Sequence, residues 1–276
     1  MLDLKLDREG VPPKPAATLI LVRDAKDGTA IEVFCVQRSG KSAFMGGAVV
    51  FPGGKDDPSD SDDSWADHVV DVAGDLRPHR IAACRESLEE AAILPVDGGA
   101  LGDAELETLR RAHAADTAAL RAFLSSRGLR IDLRALHPFS HWVTPTAEAR
   151  RYDTYFFVAK APDGQTGAHD QTETTASFWA TPAEVLRRYG VGEVQLAPPT
   201  HRTLDILSAC KNAEEVLVLA SQANLDPICP RLVPQGDTMA LVLPGDPEHD
   251  VRETRTAGTT RYVLRGERWR SEDAPA

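Results

Sequence analysis

The chain has 276 residues, 42% of them apolar, and a formal net charge of -11 at pH 7. That apolar content can bury a sizeable core, enough for one large domain or one domain with an extension. The negative balance argues against a protein that grips a phosphate backbone through a concentrated basic surface, but a small anionic substrate stays open if a metal ion supplies the positive charge.

The opening "MLDLKLDREG" lacks the basic-then-apolar order of a secretory leader, and no apolar run reaches the roughly 18 residues of a membrane span. "AATLILVRD" and "IEVFCVQRS" read as two strands joined by a turn at Asp27-Gly28, a hairpin signal. The acidic stretch "FPGGKDDPSDSDDSW", residues 51–65, invites a calcium-loop reading, which fails. Counting from Asp56, the sixth position is Ser61 and the twelfth Asp67, where such a loop needs glycine and glutamate. The run therefore reads as a solvated, flexible insertion, and trimming residues 57–63 should leave a metal site elsewhere intact. "HRIAACRESLEEAAILP", residues 79–95, has helical periodicity: at about 100° per residue, Ile81, Cys84, Leu88, Ala91 and Ala92 share one side, and Glu86, Glu89 and Glu90 the other. Residues 101–127 are rich in Ala, Leu, Glu and Arg and stop at Gly128, which predicts one or two inserted helices.

"HPFSHWVTP" and "RRYDTYFFVAK" read as strands. Further on, two prolines followed by Thr200 predict a helix capped by that threonine, and "NAEEVLVLAS" a second helical segment. The tail offers two β-like runs around a Pro-Gly-Asp turn. Interleaved strands and helices give an α/β or α+β class. Cys35, Cys84, Cys210 and Cys229 show no C-x-x-C spacing and read as buried thiols in a reducing compartment. A cytoplasmic protein without a nucleic-acid or membrane partner is the expectation.

Three carboxylates at i, i+3 and i+4 repel one another by roughly 0.2–0.5 kcal/mol per pair on an isolated helix. Arg85 can pair with Glu89 one turn on, leaving Glu86 and Glu90 on one ridge. Hard cations such as Mg²⁺ take carboxylate, carbonyl and water oxygens, and glycine, lacking a Cβ, lets a backbone carbonyl approach the same ion. A glycine turn, an acidic helix and flanking strands together describe a metal-dependent phosphate site.

"GG" at 53–54 and "RESLEE" at 85–90 resemble the Nudix hydrolase box, G-x5-E-x7-R-E-U-x-E-E-x-G-U, with U a bulky apolar residue. Gly54, Arg85, Glu86, Glu89, Glu90 and Ile93 match it. Thirty residues separate Gly54 from Arg85 where the pattern has thirteen, so an excursion of about 56–78 is inserted. The pattern's isolated glutamate has no clear counterpart: Asp60 stands at its spacing from the glycine, Arg77 at its spacing to the arginine. Ser87 replaces the first U, and Ala92 the late glycine. Flanking segments, including "VQRSGKSAFMGGAVVFPGG", look like the branch containing peroxisomal coenzyme A diphosphatases and bacterial relatives with a long box insertion.

The resemblance implies an α/β/α sandwich around a mixed sheet over residues 14–205, with a helical insert at about 97–130 and a C-terminal extension over 206–276. It implies a Mg²⁺- or Mn²⁺-dependent hydrolase of a nucleoside diphosphate derivative, coenzyme A or an acyl ester among the candidates, and leaves a homodimer open. The competing reading is a non-catalytic Nudix-like nucleotide-binding regulatory module. Carried over by position, Glu86, Glu89, Glu90 and the Gly54 carbonyl are the metal ligands, Arg85 holds Glu89, and Glu90 and Glu173 are the candidate catalytic carboxylates. Arg38, Lys41, Arg150 and Arg151 are the cations available to substrate phosphates. Trp142, Tyr152 and Phe156 read as core aromatics that could instead stack a base, and His79, His137 and His141 share no metal spacing.

Overall fold

The structure, a computed structural model, describes residues 4–6, 10–40, 46–72, 74–170 and 174–274. β1 (Lys14–Asp24) and β2 (Ile31–Arg38) form the antiparallel hairpin, with Asp24 opposite Ile31. Gly28 in its turn takes φ 67°, a left-handed value open to glycine without steric cost. β3 (Val49–Val50) joins β2 and β4 (Gly53–Lys55) joins the first half of β1. Two short 3-10 helices and β5 (Val69–Val70) lead to α1 (Arg77–Ala91), which carries the glutamate ridge. β6 (Val96–Asp97), α2 (Asp103–Ala115), α3 (Ala119–Arg127) and β7 (Arg130–Asp132) make up the helical insert. β8 (His137–Val143), β9 (Tyr152–Lys160) and β10 (Thr174–Ala180) return to the main sheet. α4 (Pro182–Val191), α5 (Pro198–Leu207) and α6 (Ala213–Ser221) then precede β11 (Arg231–Gln235), β12 (Thr238–Val242), β13 (Arg261–Arg265) and β14 (Arg268–Glu272).

The main sheet runs β10-β2-β1-β9-β8. β1 and β9 are parallel while the remaining pairs are antiparallel, so the sheet is mixed. Side chains alternate between faces along a strand, and β1 divides accordingly. Ala17, Leu19 and Leu21 join Ile81, Cys84 and Leu88 of α1 in one buried cluster. Ile20 and Val22 join Val185, Leu204 and Val216 of α4, α5 and α6 in a second. Helices therefore cover both faces, giving an α/β/α sandwich.

The two insertions meet. β5, from the excursion inside the box, pairs in parallel with β7, and β6 pairs with β7 on its other side. Leu106, Leu109, Leu120 and Leu124 of α2 and α3 belong to the buried cluster beneath α1, so the insert is fastened to the acidic helix. Gly128 ends α3 at φ 62°.

One local expectation is corrected. Thr200 does not cap α5: the helix starts at Pro198 with Ala197 as its cap residue, because proline's fixed φ and missing N–H suit the first helical positions. The two tail runs flanking the Pro-Gly-Asp turn do pair, β12 antiparallel to β13 across a long connection, and each is also half of a tight hairpin. β11-β12 and β13-β14 are two separate hairpins turning near Gly236 and Gly266 (φ 59° and 63°), joined into a four-stranded sheet by β12-β13 pairing. "RYVLRGERWR" is itself a hairpin, and Asp246 of the turn does a different job. Its buried carboxylate accepts from Arg261 through Nη2 at 2.7 Å and Nε at 3.0 Å. Burial opposes the charge of Asp246, but the bonds from Arg261 outweigh it and hold the carboxyl below its ordinary range. The pair's contribution is present above an ordinary carboxylate pKa of about 4 and is lost as pH falls through the lowered one. Arg261→Met strands that carboxylate and should cost about 3–5 kcal/mol of stability, read as a lower urea midpoint; a loss below about 1 kcal/mol would show that the pair holds nothing together.

Candidate active site

Arg85 organises the acidic ridge. Its Nη1 donates to Glu86 Oε1 at 2.8 Å and to Glu89 Oε1 at 3.1 Å, and its Nη2 to the Lys55 carbonyl at 2.8 Å. The remaining reach goes to Asp60, with Nε to Oδ1 at 3.2 Å and Nη2 to Oδ2 at 3.0 Å. A planar guanidinium suits such a two-pronged grip. Burial works against the charge of Arg85, but Asp60, Glu86 and Glu89 outweigh it and hold the group above the ordinary arginine value.

Asp60 overturns the expectation of a uniformly solvated acidic loop. It is 1% exposed, and its Oδ2 also accepts the Asp57 N–H, closing a reciprocal cap on a 3-10 helix. Trp65 is buried as well, its indole N–H donating to the Ser59 carbonyl at 2.8 Å. Asp62 and Asp63 are exposed. The loop is thus a folded clip around the arginine, and trimming residues 57–63 would remove its centre.

The glycine turn meets the ridge from the other side. The Gly53 N–H donates to Glu90 Oε2 at 3.1 Å, and Glu90 is only 4% exposed. At Gly54 an added Cβ would sit 2.4 Å from the carboxylate carbon of Glu86, so backbone and carboxylate are in contact only because there is no side chain. Gly54→Ala should displace Glu86 and lower turnover by about 100-fold with the fold retained, since misplacing a reacting group by about 1 Å costs that much. Unchanged turnover of a folded Gly54→Ala protein would disprove the close approach.

These groups line a cavity of about 980 Å³. Strand register builds its floor: Lys55, Ala16, Thr154 and Trp142 form one row across β4, β1, β9 and β8, with Gly53, Thr18 and Phe156 the next. Small residues in the middle of both rows leave the space. Ala197, Pro198, Pro199 and Thr200 at the start of α5 line it too, with Pro230 and Leu241 from the C-terminal segment. Trp142, Tyr152 and Phe156 all reach the cavity, although Trp142 and Phe156 are largely buried.

Of the predicted cations, Arg38 lines the cavity, and its Nε is buried without a hydrogen-bond partner among the described residues. Arg150 and Arg151 are not brought there. Arg151 instead donates to the backbone carbonyls of Thr144 and Val11 at 2.9 and 2.6 Å, fastening the start of β9 to the N-terminal segment, and Arg150 is exposed. Lys41 and Glu173 lie outside the described residues. Sequence reasoning passed over Lys55, Arg110 and Arg111, which line the cavity, and His113, which is buried against Glu89 with Nε2 at 3.1 Å from Oε1. For α2 the signal was present, because Glu107, Arg110, Arg111 and Ala114 share one face at helical spacing; nothing in the sequence pairs His113 with Glu89.

Burial also opposes the charge of Glu89, yet the hydrogen bond from His113 and the nearby Arg85 prevail and hold its carboxyl below the ordinary range. Among the described residues no three His, Cys, Asp or Glu side chains converge into a ready cage for an ion. The donor set nevertheless fits Mg²⁺ or Mn²⁺, which favour hard oxygens; Mg²⁺ retains several waters and shares its shell with substrate phosphates. The close approach of the Gly54 backbone to Glu86 supports the same fit.

Residues 68–207, half of the chain, match the family model for the NUDT19 Nudix domain. The chain is a Nudix hydrolase family member. Its Nudix relatives include the acyl-coenzyme A diphosphatase NUDT19 of Gallus gallus, 29% identical over 84% of this chain and 78% of that protein. The Homo sapiens protein of the same name is 26% identical over 76% and 70%. The crystal structure of a NUDIX hydrolase from Alicyclobacillus acidocaldarius superposes with a TM-score of 0.64 at 32% identity, covering 75% of this chain and 96% of that one. Against the Nudix pattern, Asp60 stands at the spacing of the isolated glutamate and, in space, grips the Nudix arginine. Ala92, at the late glycine, adopts the left-handed conformation (φ 52°) that glycine would take more easily. Ser87, at the first apolar position, is buried and donates to the Ile93 carbonyl at 2.9 Å, closing the end of α1.

Proposed function

We propose that this Nudix protein hydrolyses the diphosphate linkage of a nucleoside diphosphate derivative, with coenzyme A or an acyl-coenzyme A as substrate, and that it uses Mg²⁺ or Mn²⁺. One observation carries the reading: Glu86 and Glu90 meet the Gly53-Gly54 turn, and Glu89 joins them, in a single large cavity that is also lined by arginine and lysine. The relatives bearing the name acyl-coenzyme A diphosphatase point to the substrate class.

Glu86, Glu89, Glu90 and the Gly54 carbonyl are the groups assigned to hold the cation. Bound there, such an ion lowers the pKa of a coordinated water, neutralises the diphosphate and orients in-line displacement. The rest is done by the chain. Arg85 keeps Glu86 and Glu89 in place, and the Gly53 N–H fixes Glu90. Arg38, with an unsatisfied buried Nε, is placed to donate to a phosphate oxygen, as are the exposed cations Lys55 and Arg111. The Trp142 and Tyr152 end of the cavity receives the substrate's remaining moiety. Water adds across the P–O–P bridge, its oxygen joining one phosphorus while the bridging oxygen leaves on the other product. For coenzyme A the products are 3′,5′-ADP and a phosphopantetheine.

The test compares coenzyme A, its 3′-dephospho form, an acyl-coenzyme A and NADH at equal concentration, with products identified by mass. Higher kcat/KM for the compounds bearing the 3′-phosphate is the expected result. Preference for NADH overturns the substrate and leaves the Nudix chemistry standing; no hydrolysis of any diphosphate overturns both and favours the nucleotide-binding module. No helix among the described residues is long and apolar enough to cross a membrane.

A further inference from the structure

Glu89 has two donors, and both meet the same oxygen. Arg85 Nη1, one turn earlier on α1, reaches Oε1 at 3.1 Å. His113 Nε2, from α2 of the insert, reaches Oε1 at 3.1 Å. Among the described residues nothing donates to Oε2. Glu89 lines the cavity, and its side chain is 36% exposed.

His113 is in no position to do anything else. It is 4% exposed, and its Nδ1 is buried without a partner among the described residues. If the proton sat on Nδ1, a buried donor would go unpaired and the Nε2 lone pair would face a carboxylate oxygen, so the geometry selects the tautomer protonated at Nε2. Leu106 and Leu109, on the same face of α2, are buried in the cluster that includes Ile81 and Leu88 of α1. Packing thereby sets where the imidazole stands, and the imidazole sets the glutamate.

We propose that His113 is a positioning residue: from the helical insert it immobilises Oε1 of Glu89, so that Oε2 is the oxygen offered to the divalent cation. This rests on the metal-dependent reading of the site. An outer partner of this kind acts on metal affinity, because a ligand carboxylate that must be ordered on binding holds an ion less tightly than one already fixed; losing such a partner typically costs about 10–100-fold. The insert is then a working part of the centre, although it contributes no ligand.

The experiment titrates Mn²⁺ into the metal-free full-length protein, following the free-ion signal by electron paramagnetic resonance, with no substrate present, and records a thermal melt for each variant. His113→Ala should weaken Mn²⁺ binding about tenfold. His113→Gln, whose amide N–H can donate to Oε1, should recover most of that loss. Val216→Ala, in α6 on the opposite face of the sheet, destabilises the fold without loosening α2 and should lower Tm with Mn²⁺ affinity retained. In a Glu89→Gln background, His113→Ala should add no further loss. Wild-type affinity in His113→Ala overturns the proposal, as does an equal loss in Val216→Ala without rescue by His113→Gln. If the wild-type protein itself binds no Mn²⁺, the metal-dependent reading falls and takes this one with it.

Discussion

Glu90→Gln should lower kcat about a thousandfold while the fold survives. The substitution keeps the shape, and a glutamine carbonyl can still accept the Gly53 N–H that Glu90 Oε2 accepts at 3.1 Å. Only the charge goes. In a site where Glu90 is 4% exposed, that charge acts largely unscreened, and removing one preorganised electrostatic group costs on the order of 10²–10³ in turnover; the proposed role of Glu90 as a ligand to the cation puts this case at the upper end. Turnover at saturating Mg²⁺, with a thermal melt as the control, decides it. Near wild-type turnover would sink the assignment of the ridge as the catalytic centre.

Asp60→Ala should act on stability and activity together. The carboxylate is buried, and burial pushes its pKa up, with Arg85 opposing the shift. Taking it away leaves a buried guanidinium with Glu86 and Glu89 as its remaining acids. Breaking a buried pair costs about 3–5 kcal/mol, and the surviving partners place this substitution near the lower figure. Arg85 also fixes Glu86 and Glu89, so its release should reduce kcat about tenfold or more. Asp62→Ala and Asp63→Ala, in the same acidic run but exposed, should stay within about 0.5 kcal/mol of the parent. If all three variants behave alike in urea unfolding and in turnover, the folded-clip account is wrong.

The contrast among these aspartates shows where sequence reasoning reached and where it stopped. The ridge of Glu86, Glu89 and Glu90 was legible because helical periodicity is local, and the Arg85–Glu89 pair followed from i,i+4 spacing. The Asp27-Gly28 hairpin, the two inserted helices and the stop at Gly128 were legible for the same reason. Asp60 was not, because its partner lies 25 residues along the chain, and five aspartates in one loop look alike until one of them is buried. Its spacing from Gly54 was the one available signal. His113 offered none: it meets Glu89 only because Leu106 and Leu109 dock α2 on α1. Arg38 lines the cavity as expected, whereas Arg150 and Arg151 do not, for a related reason. A pair of arginines beyond a strand suggests a phosphate clamp, but Arg151 is spent on backbone carbonyls, while Arg111 gains its place from the face of a helix that belongs to an insertion.

The pairing of β5 with β7 has a consequence for how the site comes into being. Val69 lies beside Ile131 in parallel register, and parallel pairing across so long a stretch of sequence closes late, after local helices have formed. During synthesis the chain emerges from its N-terminus, so the glycine turn and the acidic helix are both made before the strand that locks the box excursion exists. A nascent chain halted ahead of Arg130 would carry the whole glycine-to-glutamate motif and His113 as well, yet β5 would have no neighbour.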